Sequence, residues 1–165
     1  MTDIIYRAAS EADFPGLAAM YEKLNAYFYE VGYLLPHPEN VGEAWLESFR
    51  RTLGRFSNVF VAEREGRPLG FILCRLKRLP AYMGGLMVGE VSDVWVEGEA
   101  RRAGVGQALV QSGVEWMRGQ GVHSVEVQVL SENEGSLRFF ESLGFKLELR
   151  ALRLLNDDKS PEEKE

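Results

Sequence analysis

Val94-Trp95-Val96, and then Arg101-Arg102-Ala103-Gly104-Val105-Gly106-Gln107 beginning five residues after Val96, form the stretch that decides the reading of this chain. Leu109, Val110, Val114 and Met117 follow at helical spacing, so a helix with one buried face opens at the glycines. Gly104 and Gly106 carry no Cβ, which lets backbone N–H groups approach an anion closely. The first turn of the helix adds N–H donors without intrahelical acceptors and the positive end of the helix dipole. Arg101 and Arg102 supply charge beside them. Together these features make a receptor for a phosphate or pyrophosphate. The plain alternative is a glycine-containing turn with a solvated charge pair. Other phosphate motifs fit poorly: Gln107-Ala108 stands where a Walker loop needs Lys-Ser/Thr, and Leu109 stands where the dinucleotide fingerprint needs its third glycine.

Working outward, Leu86 to Val96 reads as a long strand leading into the loop. Before it, Asn58 to Arg64 and Pro68 to Leu76 read as two strands joined by the turn Glu65-Gly66-Arg67. Phe14, Leu17, Ala18, Tyr21, Leu24 and Phe28 give a helical face with Asp13 as its cap, Pro15 in its first turn and Gly32 as its end. Val41, Trp45, Phe49 and Leu53 give a second helix, capped by Asn40 and stopped by Gly54. Ile4 to Ala8 is a short opening strand. After the glycine loop and its helix, Gly119 and Gly121 close that helix, and Val125, Val127 and Val129 alternate with polar residues in a strand over 122–129. Ser131 with Glu134 matches a capping box for a helix carrying Leu137, Phe140 and Leu143. Gly144 ends that helix, and Phe145 to Leu154 is expected as a final strand. The order is strand, two helices, three strands, helix, strand, helix, strand: a mixed α/β (α+β) sandwich with an antiparallel first half.

At this point the chain resembles the GNAT superfamily of N-acetyltransferases. Arg101-x-x-Gly104-x-Gly106 after a strand is similar to the acetyl-CoA signature of that family. Asn133-x₆-Phe140-Glu141-Ser142-Leu143-Gly144-Phe145 is similar to its second motif. The order of elements agrees over nearly the whole folded chain, with residues 10–57 matching in kind only. The resemblance implies a central mixed sheet with helices on both faces and a splayed parallel strand pair, the cofactor lying in the gap. It also implies acetyl-CoA as cofactor. Val94, Trp95 and Val96 would offer backbone groups to the pantetheine arm. Arg102, Ala103, Gly104, Val105, Gly106 and Gln107 would cradle the pyrophosphate with Arg101 beside them, and Asn133, Ser136 and Phe140 would contact the cofactor from the next helix.

The activity so implied is transfer of an acetyl group to a primary amine of a small molecule, peptide or protein, by direct attack in a ternary complex. An ammonium has no lone pair, and a lysine-like amine has a pKa of about 10.4, so a base or water relay assists at neutral pH. Glu90, six residues before Val96, is similar in position to the catalytic glutamate of the histone-acetylating branch, and Asp93 is the second candidate. Their bland reading is polar residues on a strand face. Phe140 departs from the family's pattern: many relatives carry tyrosine there as an acid, and phenylalanine has no proton to give. Phe140 gives some support to an alternative, a non-catalytic acyl-CoA-binding module, against which Glu90 and Asp93 argue. The aromatic segment containing Tyr29 and Tyr33 is expected to wall the acceptor pocket.

Bulk properties bound these readings. With 165 residues the chain fits one domain, here residues 1–155, followed by a polar tail over 156–165. A hydrophobic fraction of 45% with 27% charged residues is that of a globular protein. Net charge of −6 argues against nucleic acid as a partner and suits a cationic acceptor. Lone Cys74, in an apolar run, reads as a buried structural thiol. His37 and His123 lack ligand-spaced neighbours, so no metal site is expected. No signal segment or membrane span is legible, which makes a cytoplasmic location the expectation, and the resemblance allows a homodimer.

Overall fold

The computed structural model describes residues 2–156. Strands β1 (Ile5–Ala8), β2 (Ser57–Arg64), β3 (Arg67–Arg78), β4 (Met87–Val96) and β5 (Val125–Val127) form one sheet in that order. Pairing is antiparallel from β1 to β4, and β4 with β5 is parallel. Helices α1 (Phe14–Glu30) and α2 (Val41–Arg50) cover one face; α3 (Val105–Gly119) and α4 (Glu134–Ser142) belong to the other. The mixed sheet, its antiparallel first half and its two helical layers are as the sequence implied.

Strand β3 lies at the centre. Its Leu69 to Cys74 run does not alternate in polarity because both faces are covered. Phe71 and Leu73 enter the core beneath α1 and α2, with Leu17, Phe49, Val59 and Val61. Ile72 and Cys74 enter the core beneath α3, with Val91, Leu109 and Met117. The β2–β3 turn is tight: Glu65 and Gly66 both have positive φ (52° and 76°), the conformation that matches the twist of a two-residue hairpin. Cys74 is buried as expected, and burial pushes its thiol up to about 12.

Helix α3 sits unusually close to the sheet. A Cβ on Gly113 would meet Cys74 Sγ at 2.6 Å, and one on Gly89 would meet Met117 Sδ at 2.5 Å. A larger residue at either position requires the facing side chains, Cys74 and Ile72 or Met117, to give way.

Several local expectations are corrected. Asp13 does not cap α1; its carboxylate accepts the Ser10 backbone N–H at 2.8 Å and pairs with Arg7, which also reaches Glu63. The ion triad outcompetes the cap because guanidinium–carboxylate bonds are charge-assisted. Asn40 precedes α2 in a left-handed conformation and makes no side-chain cap. Ser131 does not open α4: Asn133 does, its side chain accepting from the Ser136 N–H at 3.2 Å. The strand expected over 122–129 is regular only at Val125–Val127. Phe145 to Leu154 has no regular secondary structure. Apart from Asn156, the expected polar tail lies outside the described residues.

Candidate active site

Two features of β4 build the site. The first is a bulge. Leu73 pairs with Asp93 while Cys74 pairs with Val91, so Ser92 has no partner on β3. In a regular strand Glu90 and Asp93, three residues apart, would point to opposite faces. The extra residue restores them to one face, the α1–α2 side, since Glu90 pairs with Arg75 and Asp93 with Leu73. The second feature is a parting of strands. Pairing between β4 and β5 covers only Gly89–Val91 against Val125–Val127. From Ser92 to Val96 the edge of β4 facing β5 therefore has no strand partner; alternation puts the main-chain groups of Val94 and Val96 on that edge, with Val96 O taken by Arg101, while those of Trp95 turn toward β3.

On the α1–α2 side the bulge opens onto a cleft of about 430 Å³, lined by Tyr21, Trp45, Ser48, Arg75, Glu90 and Asp93 among others. Trp45 stacks on Tyr21 with ring centroids 4.5 Å apart, and its Nε1–H donates to Asp93 Oδ2 at 2.9 Å. Burial pushes the Asp93 carboxyl up to about 6, against the opposing pull of the Trp45 bond and the Arg75 charge. Tyr21 is pushed up to about 12, chiefly by burial and then by the Asp93 charge. Glu90 has different company: it accepts from Ser92 Oγ at 2.8 Å and pairs with Lys77, which also binds Glu126. Arg75 donates to Ser48 Oγ at 2.6 Å.

At the end of β4, a short 3₁₀ turn leads into the glycine loop. Arg101 Nε donates to Val96 O at 2.9 Å, and its guanidinium lies 4.7 Å from the Trp95 ring centroid, so Arg101 braces the end of the strand. The indole N–H of Trp95 is buried and has no partner among the described residues. Arg102 takes a left-handed φ of 65° and Gly104 one of 80°. Gly104 O accepts the first helical bond, from Ala108. The N–H groups of Arg102, Ala103, Gly104, Val105, Gly106 and Gln107 consequently find no main-chain acceptor among the described residues. A Cβ on Gly106 would lie 3.4 Å from Phe139, a contact tighter than the ordinary.

Other expected residues are placed as follows. Asn133 spends its side-chain oxygen on Ser136 N–H and keeps its NH₂ free. Phe140 is 4% exposed and packed between Phe139 and Phe145 in the core beneath α3. Tyr29 and Tyr33 pack edge-on at 5.6 Å, Tyr29 donating to Pro36 O, and neither lines the cleft. Tyr21, Trp45, Ser48, Arg75 and Ser92 do line it and were not singled out as site residues by the sequence. A clue was available for Trp45 alone: a tryptophan on the buried face of an expected helix needs an acceptor for its N–H.

The family model described as the acetyltransferase (GNAT) family matches residues 17–145. The chain is 32% identical over 160 residues to a glucosamine 6-phosphate N-acetyltransferase of Trypanosoma brucei brucei, covering 93% of this chain and 99% of that one. It is 35% identical over 89 residues to a mycothiol acetyltransferase of Thermomonospora curvata, covering 54% of this chain but only 28% of that longer protein. Among solved structures, an aminoglycoside N-acetyltransferase in complex with CoA superposes with a TM-score of 0.76 at 17% identity, over 95% of this chain and 97% of that one. The chain belongs to the GNAT acetyltransferase family. No described helix is long and apolar enough to cross a membrane, and no group of three or more potential metal ligands occurs among the described residues.

Proposed function

We propose that this protein transfers the acetyl group of acetyl-CoA to a primary amine of a small molecule, with Asp93 as the base. The observation that carries this reading is the position of Asp93: a carboxyl raised to about 6, at a bulge, on the strand whose edge runs to the anion-binding loop. The residues present fit the cofactor. The run of unpaired N–H groups from Arg102 to Gln107, with the Arg102 side chain exposed beside it, suits a diphosphate. Main-chain groups between Ser92 and Val96 suit an extended amide-bearing arm. When bound, acetyl-CoA supplies an activated acetyl thioester.

The chain's own residues do the rest. Ionised at neutral pH, Asp93 is a stronger base than an ordinary carboxylate and accepts a proton from the acceptor ammonium directly or through water. Trp45 holds its Oδ2 in place. An N–H on the free edge of β4 stabilises negative charge developing on a carbonyl oxygen, a contribution that is usually large. Glu90, tied to Lys77 and Ser92, sets the charge of the cleft and serves as the second carboxylate. Arg75 puts a cation into the same cleft, next to Glu90 across the β3–β4 pairing. An amine that also carries an anionic group suits that arrangement, as the substrate in the name of the Trypanosoma relative does. Tyr29 and Tyr33 are proposed to border the acceptor from the end of α1, where the Gly32 turn lies against Glu132.

A thiol-release assay with acetyl-CoA and a panel of amines tests the reading, the panel holding glucosamine 6-phosphate, an aminoglycoside, a polyamine and a peptide N-terminus. Turnover is expected with at least one small-molecule amine and is expected to be faster with an anionic group present. CoA binding by calorimetry without turnover on any amine would favour the non-catalytic binding module, for which the phenylalanine at 140 speaks.

A further inference from the structure

One lysine ties together three strands of the sheet. Leu73, Arg75 and Lys77 alternate along β3 on the α1–α2 side, the face on which Leu73 enters the core. Glu90 lies on the same side of β4, and Glu126 is its partner across the parallel β4–β5 pairing. Val125 and Val127, the neighbours of Glu126, pack against the α3-side core, which turns Glu126 to the other face beside Glu90. Lys77 Nζ reaches over β4, meets Glu90 Oε2 at 3.4 Å and pairs with Glu126 Oε1. Its ammonium is held above its usual range, first by the bond to Glu126.

The place of this tie matters more than its strength. Strands β4 and β5 share only the rungs Gly89–Val91 against Val125–Val127, extended by bonds from Gly89 N to Ser124 O and from His123 N to Met87 O. Glu90 and Glu126 form the middle rung, and the unpartnered Ser92 of the bulge follows one residue after Val91. Paired strands lie about 5 Å apart, and like charges set side by side on them weaken the pairing. Two carboxylates at this rung therefore load the junction from which the gap opens. Lys77 is the only cation paired with either of them among the described residues. Ion pairs this exposed add little to global stability, so their effect is local.

We infer that Lys77 is a positioning residue of the cofactor cleft: by bridging Glu90 and Glu126 it keeps β4 and β5 paired up to the bulge and so fixes where the gap between them begins, a role that rests on that gap being the acetyl-CoA site. The bulge opens the strand pair, and Lys77 stops the opening from running back along it.

Lys77→Met tests this without removing a backbone bond. In the unliganded protein the β5 amides bonded to β4 should exchange with solvent about three- to fivefold faster than in wild type, and the Kd for CoA in calorimetry should rise by a similar factor, with the melting temperature near wild type. Adding Glu126→Gln removes the facing charge, so Lys77→Met/Glu126→Gln should bring both readings back to within about twofold of wild type. Lys77→Met/Glu115→Gln has the same net charge, but Glu115 is exposed on α3, and this variant should stay as weak as Lys77→Met alone. Unchanged exchange and affinity in Lys77→Met would overturn the inference. So would equal recovery with Glu115→Gln and Glu126→Gln, the mark of a general charge effect on an anionic ligand. Wild-type protein that binds CoA but turns over no amine counts against the proposed function and leaves these comparisons decisive, whereas wild-type protein that gives no heat with CoA overturns both.

Discussion

Replacing Asp93 by Asn separates the burden this residue places on the fold from its role in the chemistry. The Asp93 carboxyl is raised to about 6 by burial, against about 3.9 for an exposed aspartate. Two units at 1.36 kcal/mol each make the ionised form about 3 kcal/mol costlier in the folded protein than in the unfolded one. Because the folded pKa is raised, the penalty is absent below about 3.9, grows as pH rises, and is complete above about 6. Asparagine has nearly the same shape, can still accept from Trp45 Nε1, and cannot ionise. Asp93→Asn should therefore be more stable than wild type by about 2–3 kcal/mol at pH 8, and by about 1 kcal/mol at pH 4.5. Urea unfolding at a series of pH values measures the gap. Acetyl transfer should fall by roughly 100-fold or more at pH 7, and the limb of the pH–rate profile near 6 should vanish. A stability gap that does not change with pH would refute the desolvation argument. A gap of the expected shape with an unaltered rate would keep the burial and remove Asp93 as the base.

Trp45→Phe removes the bond that restrains the Asp93 pKa, so the acidic limb of the same profile should move to higher pH. Glu90→Gln should lower the rate at neutral pH by less than Asp93→Asn does, and much less at high pH, because its carboxylate is already engaged by Lys77 and Ser92; an unchanged profile would remove it from the mechanism. Reversing the charge with Arg102→Glu should weaken CoA binding by about tenfold or more in calorimetry while leaving the melting temperature near wild type. Gly113→Val forces a side chain into Cys74 and Ile72 and should cost about 1–3 kcal/mol by urea unfolding. Arg7→Met should flatten the loss of stability on acidification. Asp13 is held below its usual range, first by the Arg7 bond, so its stabilisation is present above pH ~4 and lost as pH falls through its folded value.

The sequence disclosed what depends on periodicity and on backbone freedom. The strand, glycine loop and helix around Gly104 were legible because two glycines and a 3.6-residue apolar repeat leave few alternatives, and the Glu65-Gly66 hairpin was legible for the same kind of reason. The bulge at Ser92 was not. A single inserted residue has no compositional mark, yet it decides that Glu90 and Asp93 share one face. The acceptor cleft was equally hidden, since Tyr21 and Trp45 have ordinary core spacing and acquire polar roles only once β4 lies beside them. Asp13 and Ser131 were misread as caps because local propensity ignores Arg7 and Asn133, which compete for the same groups. The alternation from Phe145 to Arg150 is real, but a strand needs a neighbour, and among the described residues this segment has none.

Glycines at positions 89 and 113 let α3 rest on the sheet with almost no clearance, anchored to β4 at Met117 and to β3 at Cys74. The loop at the start of that helix is consequently held in register with β4 rather than hinged to it. Its donors are already oriented before a diphosphate arrives, so little ordering entropy remains to be lost on association. Any mutation that lifts α3 off the sheet should loosen cofactor binding from a distance, through geometry alone.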